Sequence, residues 1–253
     1  MLVKDLDKYF RELLQIDEFS RNDTALNGLQ FGDENSEVKK AAFAVDACAE
    51  TFRRAIREKA DILFVHHGIY WGKIFALTGR HFKRIKMLGD SGLCLYAVHL
   101  PLDAHPVYGN NAGIADKLKL ENREPFGEYK GKFIGVKGIL PAAKSIEEIK
   151  KILNMDVNRP LGFLPFGKEE NRTIGIVSGG ATWESFQAID EDLDLYITGD
   201  ASHEIYHHCL EAGINVLFGG HYFTETYGVK AVCSRLKEDL GIDTVFIDLP
   251  TGF

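Results

Sequence analysis

The chain has 253 residues, of which 45% are hydrophobic and 26% are charged, as is ordinary for a globular protein. Its net charge of −7 argues against a protein whose whole surface binds nucleic acid. The four cysteines are widely spaced and form no Cys-x-x-Cys pair, so neither a disulfide framework nor a structural zinc finger is expected.

The first predicted element is a helix at 1–15, where apolar side chains recur on one helical face. These side chains are Leu2, Leu6, Phe10, Leu13 and Leu14. Charged residues among the first eight positions argue against the apolar core of a signal peptide. No apolar run is long enough to span a bilayer, so we expect a cytoplasmic protein without a membrane partner.

Strand and helix patterns then alternate, which predicts an α/β protein with mainly parallel sheets flanked by helices. The first half has predicted strands at 41–46, 62–65 and 93–98 and helices at 49–59, 82–88 and 111–118. A strand at 132–140 and a helix at 145–153, capped by Ser145 and Glu148, connect the halves. The second half has predicted strands at 173–178, 193–197, 215–218 and 244–247 and helices at 182–189, 202–212 and 224–240.

This alternation predicts two related α/β lobes. The first lobe is expected at 1–125 and the second at 126–253, with the boundary somewhere within 120–170. A stretch containing glycine and proline at 160–167 marks the passage into the second half.

Side chains that bind metals follow three of the predicted strands. His66 and His67 come after the strand at 62–65, Asp103 after 93–98, and His221 and Glu225 after 215–218. Ligands of open α/β sheets bind beyond the carboxyl ends of the strands. Imidazole and carboxylate ligands together suit zinc, iron, manganese or nickel, so the sequence predicts a metal site.

The spacing of these residues favours two ions. Adjacent side chains on a strand point to opposite faces, so His66 and His67 could each serve a different ion. His221 and Glu225 are four positions apart and can reach one site from a helix. Two divalent ions that share a carboxylate can activate water for hydrolysis. Taken singly, each motif is more often structural, and their common position after strand ends carries the metal hypothesis.

Two further histidines flank Asp103. His99 and His105 are candidate catalytic residues, either as hydrogen-bond partners of the ligands or as proton-transfer groups. For His105, a plain loop position before Pro106 is the alternative.

A basic segment follows the His-His pair. Residues 62–89 contain no acidic side chain, and their basic side chains are Lys73, Arg80, Lys83, Arg84 and Lys86. A solvated helix face would explain this pattern, and so would attraction of a phosphate-bearing ligand. Lys73, Arg80, Lys83 and Arg84 are therefore candidates for phosphate or nucleic-acid binding.

Several longer strings carry a family resemblance. They are Asn27-Gly28-Leu29-Gln30, Val65-His66-His67-Gly68-Ile69-Tyr70-Trp71, His99-Leu100-Pro101-Leu102-Asp103-Ala104-His105, Asn110-Asn111-Ala112, Ile197-Thr198-Gly199-Asp200, Gly220-His221-Tyr222-Phe223-Thr224-Glu225 and Phe246-Ile247-Asp248. Over essentially its whole length the chain resembles the GTP cyclohydrolase I type 2 homologue family, also called the Nif-three-like family. Its length is that of the compact form without an inserted domain.

The resemblance implies two α/β domains with a dinuclear metal site in the cleft between them. The matching ligand positions are His66, His67, Asp103, His221 and Glu225, with two divalent metal ions per chain. Members of the family form homohexameric rings, trimers of dimers whose metal sites face an internal cavity, so a hexameric ring is expected here.

The predicted function is that of a dinuclear divalent-metal-dependent hydrolase. It would act on a nucleotide-like or phosphate-bearing small molecule, as a GTP cyclohydrolase does. One alternative is a ring-shaped nucleic-acid-binding protein in which the two metals are structural. Another is a regulatory or metal-handling protein without catalysis.

Overall fold

The computed structural model describes residues 1–155 and 162–253, and the chain divides into two compact units. Unit 1 comprises Met1–Leu102 and Val229–Leu249, and unit 2 comprises Asp103–Gly228 and Pro250–Phe253. The predicted passage at 160–167 lies partly outside the described residues.

The described residues form strands and helices in alternation. The strands are β1 (Gly28–Phe31), β2 (Lys40–Asp46), β3 (Ile62–His67), β4 (Cys94–Ala97), β5 (Glu121–Tyr129), β6 (Lys132–Ser145), β7 (Phe163–Pro165), β8 (Glu170–Val177), β9 (Leu195–Thr198), β10 (Asn215–Phe218) and β11 (Asp243–Phe246). The helices are α1 (Val3–Leu14), α2 (Ala49–Arg57), α3 (Gly79–Ser91), α4 (Leu100–Ala104), α5 (Asn110–Leu118), α6 (Ile146–Leu153), α7 (Ser185–Asp190), α8 (Tyr206–Ala212), α9 (His221–Thr224) and α10 (Thr226–Leu240). No helix in the described parts of the chain is both long and apolar enough to span a bilayer.

The sheet of unit 1 has the strand order β1-β4-β3-β2-β11 in the described residues. Its pairs are parallel except for β1 with β4, so the prediction of a mainly parallel sheet is confirmed here. On one face, Phe43, Phe64 and Tyr96 form a buried aromatic row against Phe10 of α1. The opposite face packs against Phe52 of α2 and its neighbours. Helices therefore cover both faces.

The sheet of unit 2 has the strand order β5-β6-β8-β9-β10-β7 in the described residues. Among the described strands, β8, β9 and β10 pair in parallel and the other pairs are antiparallel, so this sheet is mixed and not mainly parallel as predicted. The antiparallel pairing begins with the β5–β6 hairpin. Most residues of β5 are exposed, so its sequence shows no strand pattern. The buried cluster of this unit includes Ile114 and Ile149, from α5 and α6, and Ile174 from β8.

The division of the chain also differs from the predicted lobes at 1–125 and 126–253. Unit 2 begins at Asp103, and a late segment, Val229–Leu249, belongs to unit 1. The cause is a long-range pairing, because β11 joins the edge of the first sheet in parallel with β2. The α/β class with two sheets flanked by helices is confirmed.

Candidate metal-ligand clusters

In unit 1 the fold brings His66, His67 and His99 together. His66 and His67 end β3, and His99 follows β4, the parallel neighbour of β3 in the sheet. Their ligand nitrogens all lie within 4.8 Å of one another. His66 is fully buried, whereas His67 and His99 are partly exposed. This group lies at the carboxyl edge of the sheet, where the sequence predicted ligands.

Each of these rings is held at Nδ1 by an oxygen atom. The Nδ1 atom of His66 lies 3.0 Å from the Val98 carbonyl oxygen, which can only accept a hydrogen bond. The Nδ1 atoms of His67 and His99 lie 2.8 and 2.9 Å from carboxylate oxygens of Asp46 and Asp23. In a neutral ring that donates from Nδ1, the lone pair is on Nε2, the atom a metal would bind. A carboxylate or carbonyl behind the ring is the usual arrangement for a metal-binding histidine.

Asp23 is a buried carboxylate with several donors. Its side chain is 1% exposed. Besides His99, it accepts from the backbone N–H groups of Ala25 and Leu100 and from the Asn27 amide. Burial raises its pKa, but the hydrogen bond with His99, the charge of that ring and the other donors lower it, to about 2 overall. Asp23 therefore stays ionised and fixes the orientation of His99.

In unit 2 the carboxylate of Asp103 is fixed by two donors. Its Oδ1 atom accepts from the Asn110 amide and from the Ser178 hydroxyl, each at 2.9 Å. Asp103 belongs to α4, Asn110 begins α5 and Ser178 follows β8, so three elements define its position. Asp103 is 6% exposed. A buried carboxylate held in this way is orientated for a cation or a further donor.

The other candidate ligands of unit 2, His221 and Glu225, lie at the turn after β10. His221 begins α9, and its Nε2 atom lies 3.2 Å from Oε1 of the buried Glu225. Its Nδ1 atom lies 2.9 Å from a carboxylate oxygen of Asp200. Burial lowers the pKa of His221, but the hydrogen bonds with Asp200 and Glu225 and their charges raise it, to about 10 overall. Two carboxylates thus favour a positive charge here, which a proton or a metal ion can supply.

The loop after β8 leaves space for this pair because it contains Gly179. A Cβ atom at Gly179 would lie 2.2 Å from the Glu225 carboxylate and 3.3 Å from His221 Nε2. Its φ of +66° is also one that residues with side chains rarely adopt. Thr224 fixes the loop by accepting from the Gly179 N–H at 3.1 Å. Glycine is therefore needed both for the backbone conformation and for the position of the carboxylate.

His105 has a different environment from His99. Its Nδ1 atom accepts the backbone N–H groups of Val107 and Tyr108, and its ring stacks on that of Tyr108. Its Nδ1 lone pair is therefore used in holding a turn. These contacts favour the loop role considered for His105 over the proposed catalytic role.

In the basic segment, Arg84 packs against the fold, whereas the other candidate phosphate-binding side chains are exposed. The Arg84 guanidinium binds the Ala47 carbonyl and lies over the Phe52 ring, and burial lowers its pKa. Arg84 therefore contributes to the packing of unit 1, and phosphate binding is better assigned to exposed side chains. Lys73, Arg80 and Lys83 are exposed.

Sequence reasoning missed the carboxylates behind the rings. Asp46 ends β2, and its pairing with His67 across parallel strands could have been inferred from the two predicted strand ends. Asp200 follows β9 in the same way and was noted only as part of the family pattern. Asp23 lies in a connecting segment, and no local pattern predicts that it would contact His99.

A family model matches almost the whole chain. The model of the Duf34/NIF3 (NGG1p interacting factor 3) family matches residues 1–251. The chain belongs to this family. This confirms the resemblance to the Nif-three-like proteins.

Individual members of the Duf34/NIF3 family are similar to this chain over all or nearly all of their lengths. Proteins named GTP cyclohydrolase 1 type 2 homolog from Archaeoglobus fulgidus and Treponema pallidum are 44% and 41% identical, with 100% of each chain covered. The crystal structure of TTHA1606 from Thermus thermophilus matches with a TM-score of 0.90 and 36% identity, covering 100% of both chains. Reduced HcgD from Methanocaldococcus jannaschii matches with a TM-score of 0.85 and 28% identity over 98% of both chains.

Proposed function

We propose that this protein is a divalent-metal-dependent hydrolase. His66, His67, Asp103, His221 and Glu225 would together hold two ions, and the substrate would be a nucleotide-like or phosphate-bearing small molecule. The observation that carries the proposal is the common orientation of the histidines. An oxygen atom holds each Nδ1, so the neutral ring presents Nε2 as a ligand.

The donor set fits divalent first-row metals. Neutral imidazoles and carboxylates are ligands for zinc, iron, manganese and nickel. The proposed set supplies imidazoles from His66, His67 and His221 and carboxylates from Asp103 and Glu225. Asp103 and Glu225 are buried acids, and a buried carboxylate is costly without a cation or donors nearby. A bound metal would offset this cost and would take the place of the proton on His221.

Bound divalent ions would polarise the bond under attack and activate water. The contribution of the chain is to fix the ligands and to move protons. Asp46 and Asp200 hold the rings of His67 and His221, and Asn110 and Ser178 hold Asp103. His99 lies within the group formed by His66, His67 and His99, and the carboxylate of Asp23 holds its Nδ1, so Nε2 is the atom at which it would exchange a proton. It is the proposed proton-transfer residue.

A hydrolysis assay tests the proposed function. The protein is loaded separately with manganese, iron, zinc or nickel and incubated with a panel of nucleotides and phosphoesters, and the products are identified by mass spectrometry. We expect turnover that chelation abolishes and that His67→Ala lowers by at least about a hundredfold, as loss of an essential ligand should. His207→Ala, at an exposed histidine of α8, is the matched control and should retain activity. Metal-loaded protein that hydrolyses none of these compounds would contradict the proposal.

The alternative of nucleic-acid binding is favoured by the exposed basic side chains. Lys73, Arg80 and Lys83 lie in a segment without acidic residues and are accompanied by the exposed ring of Phe82. Basic and aromatic side chains together bind single strands without sequence preference.

For both functions, hydrolysis and nucleic-acid binding, we propose a homohexameric ring, and this rests on the family resemblance. A solution mass six times that of the chain is expected, and a monomer mass would contradict it.

A further inference from the structure

Trp71 lies beside the histidine group of unit 1 but has no part in the proposed ligand set. Its ring centre is 5.0 Å from that of His99, edge to face, and 5.7 Å from that of His67. The indole N–H donates to the Gly68 carbonyl at 3.1 Å. The ring is therefore anchored at its polar atom and by two histidines, while 39% of the residue remains exposed.

The segment that carries Trp71 is held by further ring contacts. Phe75 stacks on Tyr70 with ring centres 5.4 Å apart, and its ring also contacts His81 at 4.3 Å. Gly72, directly after Trp71, has a φ of +69°, a conformation that favours glycine. These contacts hold the segment, and Gly68, His67 and His99 hold the indole itself. An indole that is already held lowers the entropic cost of stacking on it.

The exposed part of the indole is suited to a planar aromatic ring. Stacking between a base and an aromatic side chain is favourable for every base because each has a π-face. The segment that carries Trp71, residues 62–89, contains no acid and exposes Lys73, Arg80 and Lys83, which suits a phosphate-bearing molecule. A ring placed on Trp71 would lie next to His67, one of the proposed metal ligands, and His99, the proposed proton-transfer residue.

We infer that Trp71 is the surface on which the purine-like base of a nucleotide substrate stacks. This inference rests on the proposed function and narrows its substrate class to compounds with a planar base. Trp71 is thus a residue that binds and positions the substrate. Replacing Trp71 leaves the proposed metal ligands unchanged, so base recognition and metal content can be measured separately.

Tryptophan fluorescence gives a direct test because the chain has two tryptophans, Trp71 and Trp183. Trp183 is exposed and stacks on Phe186, so we expect Trp183→Phe to be tolerated. In that variant Trp71 is the one remaining tryptophan, and its fluorescence reports on its own surroundings. The metal-loaded Trp183→Phe protein is titrated with guanosine 5′-monophosphate and, as the probe without a base, with ribose 5-phosphate. We expect saturable quenching by the nucleotide and little change with ribose 5-phosphate.

Calorimetric titration of Trp71→Ala and Trp71→Phe completes the test. Stacking predicts that Trp71→Ala weakens nucleotide binding about tenfold or more, while Trp71→Phe stays within about threefold of the parent. Elemental analysis should find the same metal content in all variants. Equal nucleotide affinity in Trp71→Ala, or equal binding of both probes by metal-containing protein, would overturn the inference without touching the metal proposal. Absence of metal from the parent would contradict the proposed function, while base-specific quenching would still support the stacking surface.

Discussion

His67 and Asp46 face each other across parallel strands, and the hydrogen bond between them sets the orientation of the ring. They are register partners at the ends of β3 and β2, and His67 Nδ1 lies 2.8 Å from Asp46 Oδ1. The pairing follows from the sheet itself, because parallel strands that start in register also end in register. The carboxyl edge of the sheet therefore supplies both a proposed ligand and the carboxylate that orientates it.

Asp46→Asn should weaken metal binding without unfolding the protein. The amide lacks the negative charge that raises the basicity of the His67 ring, and such partners of metal ligands typically change affinity by about 10–100-fold. Competition with a chromogenic chelator measures the affinity. Asp90→Asn, at an exposed carboxylate paired with Lys86, is the control and should leave the affinity unchanged. Equal affinities for the two variants would show that Asp46 does not act on a metal.

Metal affinity should rise with pH because protons compete for His221. The pKa of His221 in the metal-free protein is raised from 6.5 to about 10, so near neutral pH a metal must displace its proton. Each proton released makes binding about tenfold tighter per pH unit. Affinities measured at several pH values between 6 and 8 should follow this slope, and affinity independent of pH would contradict it.

The same raised pKa predicts the behaviour of the metal-free protein. Protonated His221 stabilises the fold, fully below its unfolded pKa of 6.5, and this stabilisation is lost as the pH rises toward about 10. His221→Ala should remove this part of the pH dependence of the melting temperature. A wild-type profile unchanged by the substitution would assign the effect to other groups.

Gly179→Ala should lower both stability and metal content. The new Cβ atom would collide with the Glu225 carboxylate, at 2.2 Å, and must displace it. Gly131→Ala is a matched control, since Gly131 also has a positive φ, +79°, but no described atom beyond its chain neighbours lies within 4 Å of its Cβ position. Both substitutions should cost about 1 kcal/mol in backbone strain. Only Gly179→Ala should reduce metal content, and equal metal loss in the two variants would contradict this account of the loop.

The positions of the metal-ligand side chains could be predicted from the sequence because they follow strand ends. His66 and His67 come directly after one apolar run, and His221 follows another after two glycines. Such positions lie at the carboxyl edge of a parallel sheet, where ligands bind. Asp23 could not be predicted, since its contact with His99 joins residues 76 positions apart through a segment without a periodic pattern. Metal binding by these side chains stays a prediction.

The two sheets differ in how far sequence patterns determined them. The three central strands of the first sheet, β2, β3 and β4, are buried apolar runs, and their predicted bounds agree with the structure within two residues. In the second sheet, β5 is mostly exposed, so neither alternation nor an apolar run marked it. Its pairing with β6 is antiparallel, which explains why the prediction of a mainly parallel sheet failed there.

Neutralising Lys73, Arg80 and Lys83 together separates the two proposed functions. If the protein binds nucleic acid through these side chains, the triple alanine variant should lose most of its affinity for single-stranded DNA, and wild-type binding should weaken steeply with salt. Replacing the exposed Lys8, Lys151 and Lys237 changes the net charge equally and is the control. Affinity retained in the first variant would exclude this segment as the nucleic-acid-binding surface. His67→Ala should not affect such binding.

Elemental analysis of the purified protein tests the central claim most directly. Wild type should contain nearly two equivalents of first-row metal per chain, and His221→Ala/Glu225→Ala should lose metal while remaining folded by circular dichroism. The matched control is His207→Ala/Glu211→Ala, a histidine and a glutamate four residues apart and exposed at α8, which should retain the metal. Wild-type protein without metal, even after reconstitution with manganese, iron, zinc or nickel, would contradict the account and leave these side chains with structural roles.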